Sequence, residues 1–162
     1  MKRVFFTDGS SRGNPGPGGF GLVELYDNEI KYWYSYQDPI FTTNNQMELM
    51  AILYVAGMAT ASRDDEFIIF SDSAYAVNTI NDWMWTWSKN DWLNSKKQKI
   101  ENLEIIKTLY NYFSQPFFNV TVRKITGHDG LIGNELADRL AKGDINSFKK
   151  LATSNELIFE ES

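Results

Sequence analysis

The 162-residue sequence contains no cysteine, a single histidine and four prolines. Without cysteine there is no disulfide and no zinc–thiolate site, and a reducing compartment fits. No apolar run approaches the roughly 18 residues that a membrane-spanning helix needs. The N-terminal MKRVFFTDGSS has two basic residues but no apolar stretch of signal-peptide length. A cytoplasmic protein with no membrane partner is the expectation. Basic excess is also missing: the net charge is −5. That argues against a protein that grips nucleic acid by bulk electrostatics. A local basic patch can still act, and acidic side chains that ligate cations reverse the local sign.

The composition is that of a globular chain, with 43% hydrophobic and 23% charged residues. Its length suits a single domain. Residues 2–8 (KRVFFTD) predict a strand ending in Asp8, and the Gly- and Pro-rich residues 9–19 a loop. Residues 20–26 and 30–37 predict two strands, with Asp27-Asn28-Glu29 as the hairpin link. A helix follows, with Asn45 as its N-cap and Glu48 three residues on. EFIIFSD (66–72) has the pattern of a buried parallel strand, and 73–82 predict another helix. Residues 100–113 place Ile100, Leu103, Ile106, Tyr110 and Phe113 on one helical face. A strand over 117–125 and a helix over 133–142 complete a domain spanning 1–142, leaving 143–162 as a weakly patterned C-terminal tail. This order implies an α/β fold with a five-stranded mixed sheet flanked by helices. If the first helix belongs to a crossover, strands 2–8 and 66–72 lie parallel and adjacent. Asp8 and Asp72 then meet at strand C-termini, where open α/β sheets bind ligands.

Four acids stand out: Asp8, Glu48, Asp72 and Asp138. Each has a plain structural role open to it: an Asx turn for Asp8, a capping box for Glu48, a helix cap for Asp72 and an i,i+4 pair with Lys142 for Asp138. Gathered at one edge, they would repel one another and resist full ionisation. A hard divalent cation relieves that repulsion, and oxygen ligands favour magnesium or manganese over zinc.

The segments FTDGSSRGNPGPGGFG, TTNNQMELMA, SDSAYAVN and GHDGLIGNELADRLA resemble, in order and approximate spacing, the four signatures of the RNase H type 1 family. They run from Asp8 to Ala141, most of the chain. The resemblance implies a fold whose first three strands are antiparallel. It implies an endonuclease that cuts the RNA strand of an RNA–DNA hybrid with two Mg2+ ions (Mn2+ as a substitute), leaving 5′-phosphate and 3′-hydroxyl ends. By the same resemblance Asp8 bridges both ions, Asp72 and Asp138 complete the shell of the ion that generates the nucleophilic water, and Glu48 serves the ion facing the leaving 3′ oxygen. His128, in a loop with Gly127, Gly130 and Gly133, matches a family histidine that assists proton transfer or product release. Asn134 matches a position near the site. Thr126 stands where the family often has a basic residue, and Ala74 where it often has glutamine.

An enzyme specific for RNA must sense the 2′-hydroxyl. Asn14, Asn44 and Asn45 match family positions that contact the hybrid, and Gln46 and Ser73 are further candidates. Residues 83–99 hold four of the five tryptophans. Within 88–99, Lys89, Lys96, Lys97 and Lys99 face only Asp91. Aromatics interleaved with lysines suit a sugar–phosphate backbone. Trp83, Trp87 and Trp92 match the family's basic protrusion, which grips the DNA strand. Its usual basic run is diluted here by Ser88, Asn90 and Asp91, so modest, salt-sensitive affinity is expected. A stand-alone monomer acting on the hybrid is the main reading. A non-catalytic hybrid-binding domain of the same fold is the alternative, and a different nuclease or polynucleotidyl transferase on that fold a third.

Overall fold

The computed structural model describes residues 1–125 and 131–160. Its strands are β1 (Lys2–Ser11), β2 (Gly16–Tyr26), β3 (Glu29–Thr42), β4 (Glu66–Ser71), β5 (Val120–Lys124) and β6 (Ile158–Phe159). Its helices are α1 (Asn44–Thr60), α2 (Ala74–Asn78), α3 (Met84–Ser88), α4 (Leu103–Phe113), α5 (Leu131–Ala141) and α6 (Ile145–Ser154), with one π turn, Thr79–Trp83, joining α2 to α3. The sheet order is β5-β4-β1-β2-β3-β6. β1, β2 and β3 are antiparallel, whereas β1–β4, β4–β5 and β3–β6 are parallel. Among the described residues no helix is long and apolar enough to cross a membrane.

Alternation along β1 sends neighbouring side chains to opposite faces. Phe5 joins a core formed with α1, α2 and α4, and Phe6 joins a second core beneath α5 and α6. Phe5 stacks on Phe67 and Phe6 on Phe70, which ties β1 to β4 on both faces. Helix α1 is buried around much of its girth, from Met47 and Leu49 to Val55 and Ala59. It lies between the sheet and α4, which accounts for its almost continuous apolar sequence.

Several expectations need correction. The sheet has six strands, not five, because β6 adds to β3 through Glu29↔Ile158 and Ile30↔Phe159. The residues read as a loop over 9–19 mostly extend strands: pairing continues to Ser11↔Gly18, leaving only 12–15 as the turn. The glycines serve close approach here, since a Cβ on Gly18 or Gly19 would collide with Ser10 or with Tyr36 and Gln37. Thr43, not Asn45, caps α1, its side chain accepting from the Gln46 N–H at 3.1 Å. The helix expected over 73–82 continues through the π turn to Ser88. The helix expected from residue 100 starts at Leu103, behind Asn102 in the left-handed region (φ 59°). The strand expected from 117 starts at Val120, after Phe117 at φ 63°. Asp27, also at positive φ (57°), forms the predicted β2–β3 turn. Residues 143–162 contain α6 and β6. Phe148 and Ala152 are fully buried in the second core, and Phe148 packs against Trp33 at 5.1 Å.

Candidate active site

Parallel pairing of β1 with β4 runs from Lys2↔Glu66 to Thr7↔Ser71. The next residues along the chain are Asp8, still in β1, and Asp72, just past the end of β4, so the register sets these two acids side by side. Glu48 arrives from above, on α1. Gly9 permits this: a Cβ there would strike the backbone of Met47 and Glu48, so only glycine lets α1 lie directly on β1. On the other face, Gly21, the cross-strand partner of Asp8, accepts the backbone of α5 at Ala137 and Ala141. Gly133 accepts the Phe6 ring. Three missing Cβ atoms therefore fix the distances of α1 and α5 from the acid-bearing strand. No sequence motif singles out Gly9 or Gly21 for this role; cross-strand register and helix placement reveal it. Gly133, the first residue of the helix expected over 133–142, lies within α5, which starts at Leu131.

One oxygen from each of Asp8, Glu48 and Asp72 lies within 4.8 Å of the others. Asp8 and Glu48 are only 7% and 8% exposed, whereas Asp72 is exposed. Burial pushes Asp8 up to about 7, with the neighbouring Asp72 adding repulsion and a hydrogen bond from Glu48 opposing it. Glu48 is pushed up to about 10, by burial first and then by Asp8. The pair therefore holds a shared proton in the metal-free protein at neutral pH. Glu48 Oε2 is buried and has no hydrogen-bond partner among the described residues. An orphaned buried carboxylate oxygen, on a residue grouped with two further acids, fits a hard cation with oxygen ligands.

Asp138 lies on α5, outside that three-acid group. It is still near enough to raise Asp8 electrostatically. Its Oδ2 accepts from Arg139 Nη1 at 2.9 Å and from Lys142 Nζ at 3.3 Å, so the i,i+4 pair anticipated from sequence is present. Asn134 is half-buried, and its Oδ1 has no partner among the described residues. His128 lies outside the described residues.

At the mouth of the β1–β2 turn, Asn14 Oδ1 accepts from the Asn44 N–H at 3.2 Å, and Ser11 Oγ donates to Asn44 Oδ1 at 3.1 Å. Asn44 and Asn45 are exposed at the start of α1. The Gln46 side chain accepts from Thr42 Oγ1 at 3.2 Å and lines a cavity of about 470 Å3 with Lys99, Asn102 and Leu103. Neither Lys99 nor Asn102 was marked by sequence as a neighbour of Gln46. Ser73 caps α2 by accepting from the Ala76 N–H at 3.1 Å.

The tryptophan-rich segment splits in two. Trp83 and Trp87, with ring centres 6.0 Å apart, line a groove of about 840 Å3 together with Lys89, Asn90, Asn94 and Lys97. Trp92 instead meets Tyr110 edge to face at 5.3 Å, and Lys107 lies over its ring. Trp85 packs on Tyr110 and donates to the Ile80 carbonyl at 2.8 Å. Lys96 is exposed, in a turn whose N–H groups at Lys96 and Gln98 both donate to Asn94 Oδ1.

Comparison with known proteins bears on this arrangement. A family model described as RNase H matches residues 1–146. The protein named Ribonuclease H from Legionella pneumophila (strain Lens) is 38% identical over 141 residues, covering 87% of this chain and 94% of that protein. Among solved structures, the PFV RNase H domain superposes with a TM-score of 0.68 at 22% identity, covering 98% of this chain and 96% of that one. A foamy viral protease-reverse transcriptase in complex with RNA/DNA hybrid gives a TM-score of 0.73 at 20% identity, covering 90% of this chain and 20% of that one. By the family match over nine-tenths of its length, this chain belongs to the RNase H family.

Proposed function

We propose that this chain is an endoribonuclease that hydrolyses the RNA strand of RNA–DNA hybrids, leaving 5′-phosphate and 3′-hydroxyl ends. The observation that carries the reading is the meeting of Asp8, Glu48 and Asp72, brought together by β1, α1 and the end of β4, with Glu48 carrying a buried carboxylate oxygen that has no partner among the described residues. These acids, with Asp138 beside them, would hold two divalent cations, Mg2+ or Mn2+. When bound, such ions supply an activated water and charge stabilisation for in-line phosphoryl transfer.

The chain's own residues do the remaining work. Asp8, on the central strand, would serve both cations, with Asp72 and Asp138 completing the holding group of one and Glu48 that of the other. Loss of the proton shared by Asp8 and Glu48 readies both for cation binding. Asn14, Asn44, Asn45 and Gln46, at the β1–β2 turn and the start of α1, present amides to the minor groove, where the 2′-hydroxyl marks RNA. Ser73 retains a hydroxyl proton to donate after capping α2. Asn134, one helical turn before Asp138, has an acceptor without a partner among the described residues, and His128 assists proton transfer or product release. Trp83, Trp87, Lys89, Lys96 and Lys97 form a basic, aromatic surface for the DNA strand's backbone. Trp92, packed on Tyr110, is tied to that surface by its backbone N–H, which donates to the Trp87 carbonyl at 2.9 Å. A chain without cysteine needs no oxidising compartment, the site of action proposed is the cytoplasm, and the enzyme acts as a monomer.

The test is cleavage of a labelled RNA–DNA hybrid with Mg2+, beside duplex DNA, duplex RNA and an EDTA control. The expected result is scission of the hybrid's RNA strand alone, lost with EDTA. Asp72→Asn should abolish cleavage while leaving thermal unfolding and hybrid binding near parental values. A folded, hybrid-binding protein that cut nothing with either cation would favour a binding domain instead.

A further inference from the structure

Arg139 follows Asp138 on α5, and its guanidinium is engaged at two points. Nη1 donates to Asp138 Oδ2 at 2.9 Å, and Nε donates to Ser147 Oγ at 3.2 Å. Ser147 sits in the first turn of α6, where its N–H donates to the Asp144 capping side chain at 3.0 Å. A hydrogen-bonded path thus runs from the cap of α6 through Ser147 and Arg139 to the fourth acid. Lys142 adds a second cation on the same Asp138 oxygen. Consecutive helical residues point about 100° apart, so Arg139 must fold back to reach its neighbour. The Ser147 bond holds it in that pose, and the planar fork of arginine serves both partners at once.

We propose that Arg139, anchored by Ser147 and assisted by Lys142, is a cationic latch that keeps Asp138 out of the Asp8–Glu48–Asp72 group until a divalent cation competes for it. The latch makes α6 a positioning element for the active site, and Arg139 and Ser147 positioning residues for the weaker of two cation sites. The inference rests on the cation-binding reading proposed above. The Asp138 and Arg139 side chains are 29% and 34% exposed, so solvent screens the pair and the latch is weak enough for a divalent ion to open. Its contribution is therefore to tune affinity rather than to block the site.

The experiment is titration of Mn2+ into the metal-free full chain, counting free ion by electron paramagnetic resonance. Parental protein is compared with Arg139→Gln, Ser147→Ala, Asp138→Asn and the Arg139→Gln/Asp138→Asn double variant. Circular dichroism confirms that each is folded. Arg139→Gln should tighten the weaker site about two- to fivefold, the range expected for a partly exposed ion pair. Ser147→Ala should shift it in the same direction by less, with no change of charge. In the Asp138→Asn background, Arg139→Gln should have no effect. Unchanged or weaker binding by Arg139→Gln overturns the latch. So does equal tightening in the Asp138→Asn background, which would mean that only long-range charge is at work. If Arg139→Gln does not fold, Ser147→Ala decides alone, and affinity equal to the parental value overturns the proposal. Failure of the parental chain to bind Mn2+ would remove the cation-binding reading itself, and the latch with it.

Discussion

Replacing Glu48 by glutamine should make the metal-free protein more stable while destroying its activity. Glu48 is 8% exposed and beside Asp8, and its carboxyl is pushed up to about 10 from an ordinary value of 4.5. The folded-state value is raised, so the associated stability is fully present below about 4.5 and is lost as pH rises towards 10. At pH 7 the solution is about 2.5 units above the unfolded value and still below the folded one, and each unit is worth about 1.4 kcal/mol. The cost of keeping Glu48 protonated is thus about 3 kcal/mol, counting the proton shared with Asp8 once. Glutamine is isosteric with the protonated acid, donates to Asp8 and titrates nowhere. Urea unfolding in EDTA should therefore show Glu48→Gln more stable than the parent by about 2–3 kcal/mol at pH 7. The difference should shrink towards zero near pH 4.5 and grow above pH 7. Added Mg2+ should stabilise the parent more than the variant. A variant less stable than the parent at pH 7 in EDTA, or a difference independent of pH, would refute the argument that burial and Asp8 hold the proton on Glu48.

Other consequences follow from the same geometry. Lys96→Ala with Lys97→Ala should weaken hybrid binding and flatten the plot of log affinity against log salt by about 1–2 units of slope, one per lost phosphate contact; an unchanged slope in a fluorescence anisotropy titration would remove these lysines from the interface. Gly133→Ala should destabilise the protein by about 1–2 kcal/mol in denaturant unfolding, because overpacking against the Phe6 ring exceeds the gain in helix propensity. Phe148→Ala should cost about 3–5 kcal/mol by the same measurement, since Phe148 is fully buried against Trp33 and Phe159; a loss under 1 kcal/mol would show that α6 is only loosely docked.

Asp8 and Asp72 could be paired from sequence because each lies near the C-terminal end of a strand that local pattern defines, whereas Glu48 and Asp138 lie inside helices. The adjacency of Asp8 and Asp72 needed only the crossover through α1, and the observed register Thr7↔Ser71 delivers it. The cap of α1 was not legible. TTNN offers four capping side chains in succession, and local propensity does not choose among them. The choice of Thr43 is made by tertiary contact: the Asn44 N–H, free at the first helical position, is taken by Asn14 from the β1–β2 turn. The glycines of 16–19 read as chain breakers because a single sequence does not show which backbone lies above them. Once Tyr36 and Gln37 are placed over Gly19, its side-chain deletion is a condition of strand pairing rather than a bar to it. The tail carried a readable signal, since Ile145, Phe148 and Ala152 fall on one helical face. Polar residues at Asn146, Lys149 and Lys150 diluted it. The sixth strand is only two residues long, too short for any periodicity to register.

Structural and functional roles of the four acids do not exclude one another, and Asp138 shows why. Its pairing with Lys142 is the plain surface interaction that helical spacing predicts, and it is present at 3.3 Å. In water such a pair contributes little to stability, about 0.3–0.5 kcal/mol. That weakness is what makes it compatible with a second use. A carboxylate buried in a strong, fully satisfied ion pair would be unavailable to a cation, whereas one held by two partly exposed side chains can exchange partners at small cost. Glu48 is the opposite case. Buried, and without a partner on Oε2 among the described residues, it destabilises the metal-free protein and so adds to the driving force for cation binding. One acid is kept available by weak pairing and the other is left costly without a cation, and both conditions favour a site that fills only when divalent ions are present.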